Sequence, residues 1–214
     1  MAIKQIMVVD PSINEPEIAA INNIAQRSPL RISIHFPALY EDQTISLSKQ
    51  NTAGVIIMGS QASVHNKLPW QQTLQDLILD MDKVSIPVLG LCYGHQLLAH
   101  VYGGKVAYLW DGEKKRGVTE VNIAAHSLWG AARSGTLAYS HMEGVVDCPP
   151  GFEVVASSAM TAIEGIAGQN KPIWGFQPHL EATQGFLKPH EMDQEFDNAL
   201  GFNILDHFLK FCAG

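Results

Sequence analysis

The stretch that decides the fold is Ile86–Gly104, IPVLGLCYGHQLLAHVYGG. Ile86–Leu91 is a short apolar run of the kind that forms a strand covered on both faces. Gly94–Tyr102 has helical spacing and is stopped by Gly103-Gly104. Between them stands Gly90-Leu91-Cys92-Tyr93-Gly94, the G-x-nucleophile-x-G form of a tight strand-to-helix turn. Such a turn lifts the central side chain above the carboxyl edge of a sheet, where open α/β sheets bind ligands. A thiol there meets the positive end of a helix, which favours the reactive thiolate. The Tyr93 N–H then points at an oxyanion forming beside the sulfur. The competing reading is a buried structural cysteine, since cysteine is among the most buried residue types.

Outward from this stretch, apolar runs and amphipathic runs alternate. Ile3–Val9 reads as a strand closed by Asp10-Pro11, and Pro16–Gln26 as a helix with Ile18, Ile21 and Ile24 on one face. Leu30–Phe36 and Gly54–Met58 read as strands, the second followed by the small-residue loop Gly59–Val64. Trp70–Met81 then spaces Leu74, Leu77 and Ile78 along one helix face. This alternation implies a parallel sheet with helices on both faces. From Lys105 to Phe176 the pieces VTEVNI, TLAYS, FEVVAS, AIEGIA and PIWGF are strand-like, and they predict an antiparallel addition. Glu191–Phe211 reads as an amphipathic helix carrying Phe196, Leu200, Ile204, Phe208 and Phe211. No linker divides the chain, so one α/β domain over 1–214 is expected, with a mostly parallel open sheet flanked by helices.

Composition narrows the function classes. Hydrophobic residues make up 46% of the 214 and charged residues 16%, enough apolar material for a buried core. A net charge of −7 with no basic run argues against a nucleic-acid partner. No window approaches the roughly 18 apolar residues of a membrane helix, and the N-terminus lacks a signal-peptide pattern. Cys92, Cys148 and Cys212 form no C-x-x-C pair and no disulfide framework. A reduced, cytoplasmic, membrane-free protein is expected. No metal-ligand spacing recurs around Cys92 and His95, so no metal and no cofactor are expected.

A cysteine nucleophile needs a base, and among nine histidines His179 stands out. It lies just beyond the strand-like Pro172–Phe176, and Glu181, two residues on, can hold its imidazole. A surface loop with an incidental His and Glu is the competing reading.

Four ordered segments carry a resemblance. Pro87–Val106 (PVLGLCYGHQLLAHVYGGKV) resembles the nucleophile segment of class I glutamine amidotransferases, G-x-C-x-G-x-Q with a G-G-x-V ending. Gly54–Val64 (GVIIMGSQASV) resembles their S-G-G-P-x-S-V loop, Tyr139–Ser158 their S-H-x-D/E segment, and Trp174–Thr183 (WGFQPHLEAT) their G-V-Q-F-H-P-E-V-T. Within the family the likeness is greatest to the glutaminase part of GMP synthetase. The resemblance implies a flavodoxin-like architecture and a Cys92, His179, Glu181 triad hydrolysing the side-chain amide of L-glutamine through a γ-glutamyl thioester. It further implies that Gln96, Ser140 and His141 contact the substrate, and that Gly59, Ser60 and Tyr93 supply oxyanion N–H groups. The chain has no G-x-x-x-x-G-K-[ST] loop, so it is expected to be either a separate glutaminase subunit passing ammonia to a synthetase, with a GMP synthetase-like partner suggested, or a stand-alone enzyme. Two departures are Ser60-Gln61 where the family has Gly-Pro, and Leu180 inside H-P-E, with Pro178 one place early. The alternatives are a γ-glutamyl hydrolase or peptidase acting on other γ-glutamyl amides, and a non-catalytic ligand sensor.

Overall fold

In the computed structural model, residues 4–40, 42–188, 192 and 196–214 are described. The chain runs β1 (Gln5–Val9), α1 (Ile18–Arg27), β2 (Arg31–His35), α2 (Gln43–Ser48), β3 (Thr52–Ile57), α3 (Pro69–Lys83), β4 (Val88–Leu91) and α4 (Tyr93–Val101). It continues with β5 (Lys105–Tyr108), β6 (Lys115–Ile123), β7 (Arg133–His141), β8 (Glu143–Asp147), β9 (Phe152–Ser158), β10 (Gly165–Gly168), β11 (Ile173–Phe176), α5 (Gln184–Leu187) and α6 (Ala199–Ala213).

Nine strands form one sheet in the order β2-β1-β3-β4-β11-β10-β9-β6-β7, and β5 pairs antiparallel with β8 in a separate two-stranded sheet. The pairs from β2 to β11 are parallel, and those from β11 to β7 are antiparallel. Strand order reverses between β1 and β3, so the carboxyl ends of these strands frame a crevice.

Both faces are covered at β1, β3 and β4, which explains why these strands read as unbroken apolar runs, whereas the edge strand β2 alternates and is partly exposed. Ile6, Val8, Ile56, Leu89 and Leu91 pack with Ala20, Ile21 and Ile24 of α1 and Ile204, Leu205 and Phe208 of α6. Their neighbours Met7, Val9, Val55, Ile57 and Val88 face the other way, onto Leu74, Leu77 and Ile78 of α3 and Tyr93, Leu97 and Leu98 of α4.

Three expectations change. PIWGF is not part of an antiparallel addition alone: β11 lies parallel to β4 and antiparallel to β10, joining the two halves. Ile18 is 54% exposed, because it opens α1, and the buried stripe of that helix is Ala20, Ile21 and Ile24. The C-terminal helix begins at Ala199, with Phe196 before it packing on the Ala138, Phe186 and Leu187 cluster and Phe211 52% exposed. Residues 191 and 193–195 of the expected helix lie outside the described residues.

The turn between β4 and α4 is built on two close approaches. A Cβ on Gly94 would sit 2.2 Å from Ile57 O, and one on Gly90 would sit 2.4 Å from Gly94 O. Gly94→Ala is therefore expected to lower stability by about 3 kcal/mol, since backbone rather than a flexible side chain must give way. The shift in urea midpoint relative to the parent protein checks this.

Candidate active site

Cys92 stands at the turn with φ 51° and ψ −101°. A non-glycine residue there costs on the order of 1–3 kcal/mol and needs surroundings that enforce it. They are present: Cys92 N–H donates to Phe176 O at 2.8 Å, and Cys92 O accepts from Gln96 N–H at 3.1 Å. The side chain is buried but borders the crevice.

His179 reaches the same place from the loop after β11. Its N–H donates to Ala138 O at 2.8 Å, tying the loop to β7. Nδ1 meets Glu181 Oε1 at 2.8 Å, and the ring lies against Phe186 with centroids 4.5 Å apart. The imidazole also hydrogen-bonds the Cys92 side chain, and with Nδ1 engaged Nε2 is the nitrogen left for the sulfur. Burial pulls the His179 pKa down, but the Glu181 carboxylate and the bond to Cys92 outweigh it and hold the imidazolium well above its ordinary range. Gly59 leaves the gap between them open: a Cβ there would lie 3.0 Å from His179 Cε1 and 3.6 Å from Cys92 Cβ.

The other expected residues gather nearby. Tyr93 opens α4, so its N–H is among those that no intrahelical carbonyl satisfies. Ser60 Oγ donates to Pro11 O at 2.7 Å and accepts from Ala62 N–H at 3.1 Å, fixing the loop without a proline. Gln61 Oε1 accepts from Asn14 Nδ2 at 2.6 Å, so the β1–α1 loop is clipped to the Gly59 loop. Leu180, at the family proline's place, is wholly buried.

Ser140 borders the crevice with its hydroxyl lacking a hydrogen-bond partner among the described residues. His141 Nδ1–H donates to Glu143 O at 2.9 Å, and burial drops its pKa to about 4, so this ring is neutral at neutral pH. Gln96 is not a solvated helix position but 4% exposed, its amide nitrogen donating to Glu143 O and Gln177 Oε1. His95 lies on the inner face of α4. It is fully buried, with its pKa lowered to about 3 by that burial.

The crevice has two lobes sharing Cys92, Ser60, Gln61, Ser140 and Lys114. The larger, about 460 Å³, is bordered by Gln96, His141, Tyr108 and Glu143. The smaller, about 50 Å³, lies between His179 and Glu181 on one side and Ser12, Asn14, Glu15 and Glu17 on the other.

Five bordering or supporting residues escaped the sequence reading. Gln177 Nε2 approaches Cys92 Sγ at 3.6 Å; its place beside His179 was a usable signal. Asn198, 3% exposed, donates from Nδ2 to Leu180 O and Ala182 O at 2.9 Å each, gripping the His179–Glu181 loop. Glu17, Lys114 and Glu143 border the crevice through tertiary placement alone. Among the described residues no group of three or more His, Cys, Asp or Glu could hold a metal ion, and no helix is long and apolar enough to cross a membrane.

Fold and site together define a doubly wound α/β protein with a cysteine on a strand-to-helix elbow and a His–Glu couple facing it. The family model for class-I glutamine amidotransferases matches residues 19–199. The chain is 31% identical over 170 residues to a GMP synthase (glutamine-hydrolyzing) subunit of Pyrococcus abyssi, covering 78% of this chain and 79% of that one. It is 28% identical over 165 residues to the GMP synthase (glutamine-hydrolyzing) of Caldicellulosiruptor saccharolyticus, covering 77% of this chain but only 30% of that protein. Among solved structures, a glutamine amidotransferase from Methylobacillus flagellatus superposes with a TM-score of 0.73 at 20% identity, over 98% of this chain and 92% of that one. One from Thermotoga maritima gives 0.71 at 18% identity, over 98% and 96%. The chain belongs to the class-I glutamine amidotransferase family.

Asn198→Ala removes both clamps on the loop and leaves two buried carbonyls unpaired. A loss of about 1–3 kcal/mol in stability is expected, read from chemical denaturation.

Proposed function

We propose that the protein hydrolyses the side-chain amide of L-glutamine with Cys92 as nucleophile, and that the ammonia passes to a separate synthetase subunit. The observation that carries this reading is the meeting of Cys92, on its strained elbow, with the buried His179–Glu181 couple across the gap that Gly59 leaves open.

Cys92 thiolate attacks the amide carbon. The carbonyl oxygen becomes an oxyanion held by the Tyr93 N–H and a backbone N–H of the Gly59–Ser60 loop, donors worth about 2.7–4 kcal/mol each in comparable sites. The His179 imidazolium gives its proton to the amide nitrogen, the C–N bond breaks, and ammonia leaves a γ-glutamyl thioester. Neutral His179 then takes a proton from water, hydroxide adds to the thioester, and the thiolate is expelled with glutamate. Glu181 orients the ring and stabilises its charged form.

The larger lobe suits the amino-acid end of the substrate. Lys114 can meet the α-carboxylate and Glu143 the α-ammonium, with neutral His141 and the Ser140 hydroxyl as polar neighbours. A separate synthetase is favoured by the likeness to the Pyrococcus abyssi protein, which covers most of both chains. A γ-glutamyl hydrolase acting on other amides is the remaining enzymatic alternative.

Incubation with a glutamine-like diazo-ketone is expected to modify Cys92 stoichiometrically, and Cys92→Ala to abolish glutamate release while the fold persists. Retained turnover in that variant would exclude Cys92 as the nucleophile. Glu181→Gln removes the carboxylate that raises the His179 pKa, so the imidazolium is lost at lower pH. The alkaline limb of the rate–pH profile should move to lower pH, with kcat down roughly 10²–10⁴-fold.

A further inference from the structure

The smaller lobe lies against Cys92 on the His179 side; it shares Lys114 and Ser140 with the larger lobe but not Gln96, His141 or Glu143. In the reaction proposed above, on which this inference rests, that is where the nitrogen departs. Its volume is about 50 Å³, more than the roughly 10–15 Å³ that one water-sized molecule needs on the same measure. Ammonia fits; an amino acid leaving as the amine has to project along the lobe's wall.

That wall is acidic and built. Asp10, wholly buried, accepts from Ser12 N–H at 3.0 Å and from Glu17 N–H at 2.8 Å, folding the β1–α1 loop so that Glu17 borders the lobe. Glu15 borders it from the same loop. Glu181, 1% exposed, borders it from the opposite side, with Oε2 lacking a hydrogen-bond partner among the described residues. Lys114 and the His179 imidazolium are the lobe's cations among the described residues. The signal in the sequence was absent, since Glu17 is simply the residue before a helix.

We propose that Glu17 is a specificity-determining residue of the leaving-group side: its carboxylate favours release of ammonia and turns away leaving groups that carry a carboxylate of their own. A γ-glutamyl dipeptide would bring its amino-acid carboxylate against Glu17, Glu15 and Glu181, a like-charge contact opposed by Lys114 and the His179 imidazolium. The discrimination is pH-dependent. Burial raises the Glu17 pKa to about 7, with His179 opposing and Glu181 and Asp10 reinforcing. Glu17 is neutral below that pH and charged above it, so the repulsion grows between about pH 6 and 8.

The test compares γ-glutamylglycine with γ-glutamyl methylamide, which lacks the carboxylate, as competitive inhibitors of glutamine hydrolysis; inhibition needs binding and not turnover. In the parent enzyme the glycine compound should bind more weakly, by a gap that widens from about pH 6 to about pH 8. In Glu17→Gln the gap should shrink by about fivefold or more, the size of a partly screened charge contact, and lose its widening with pH. Glu17→Lys should reverse it. An equal gap in parent and variants overturns the proposal, as does a failure of both compounds to inhibit any form. Should the variants fail to fold, a gap in the parent that stays constant with pH overturns it too. A parent protein that hydrolyses no glutamine instead defeats the function proposed above.

Discussion

The structure depends on one steric constraint, the absence of a side chain where α4 leaves β4. Gly94 lies so close to the Ile57 carbonyl, and Gly90 so close to Gly94, that any Cβ would collide with backbone. Only this contact lets the helix start immediately after the strand, and the residue between them is left to absorb the reversal. That residue is Cys92, held at positive φ by its hydrogen bonds to β11 and to the next turn of α4. The strain persists because two tightly packed elements fix both sides of it. Its chemical result is a sulfur at the mouth of a crevice rather than inside a core.

The second half of the fold serves to deliver a partner to that sulfur. β11 is hydrogen-bonded to β4 in parallel and to β10 in antiparallel fashion, so its carboxyl end emerges beside the elbow. The loop that follows is fixed at three points: His179 N–H on Ala138 of β7, Asn198 on Leu180 O and Ala182 O, and Asn23 of α1 on Glu181 O at 3.1 Å. A loop anchored to a strand and two separate helices can hold a buried imidazole–carboxylate pair. In a loose loop the desolvation of that pair would go uncompensated.

Legibility in the sequence followed the range of the forces involved. The elbow, the parallel strands and the His179–Glu181 spacing were readable because local turns and unbroken apolar runs encode them. β11 was assigned to the antiparallel part because a four-residue apolar run says nothing about which neighbour it will pair with; that is decided by the crossover around it. Ile18 has helical spacing, but spacing alone does not tell which turn of a helix first meets the sheet. Gln96 gave no sign of its burial, since its partners Glu143 O and Gln177 Oε1 come from segments far along the chain. Glu17, Lys114 and Asn198 were invisible for the same reason: each acts through where the fold brings it.

The two lobes of the crevice differ in a way that bears on how one cysteine can serve a single amide. The larger lobe offers charges of both signs, Lys114 and Glu143, with a neutral histidine between its polar groups. Such a lobe suits a zwitterion. The smaller lobe sets the carboxylates of Glu15, Glu17 and Glu181 against the shared Lys114, on the side of the sulfur where the His179 imidazolium stands. In the proposed reaction the amide nitrogen becomes basic as it departs, and a proton delivered by His179 would leave a cation-prone product beside those acids. In that proposed reaction this asymmetry about the sulfur would set a direction, with the acyl part held in the larger lobe and the nitrogen leaving beside the acidic wall. The family's loop proline is absent here, and in its place Gln61 bonds Asn14 and ties the acidic loop to the Gly59 loop. The departure from the family pattern is therefore also the brace that keeps the acidic wall beside the sulfur.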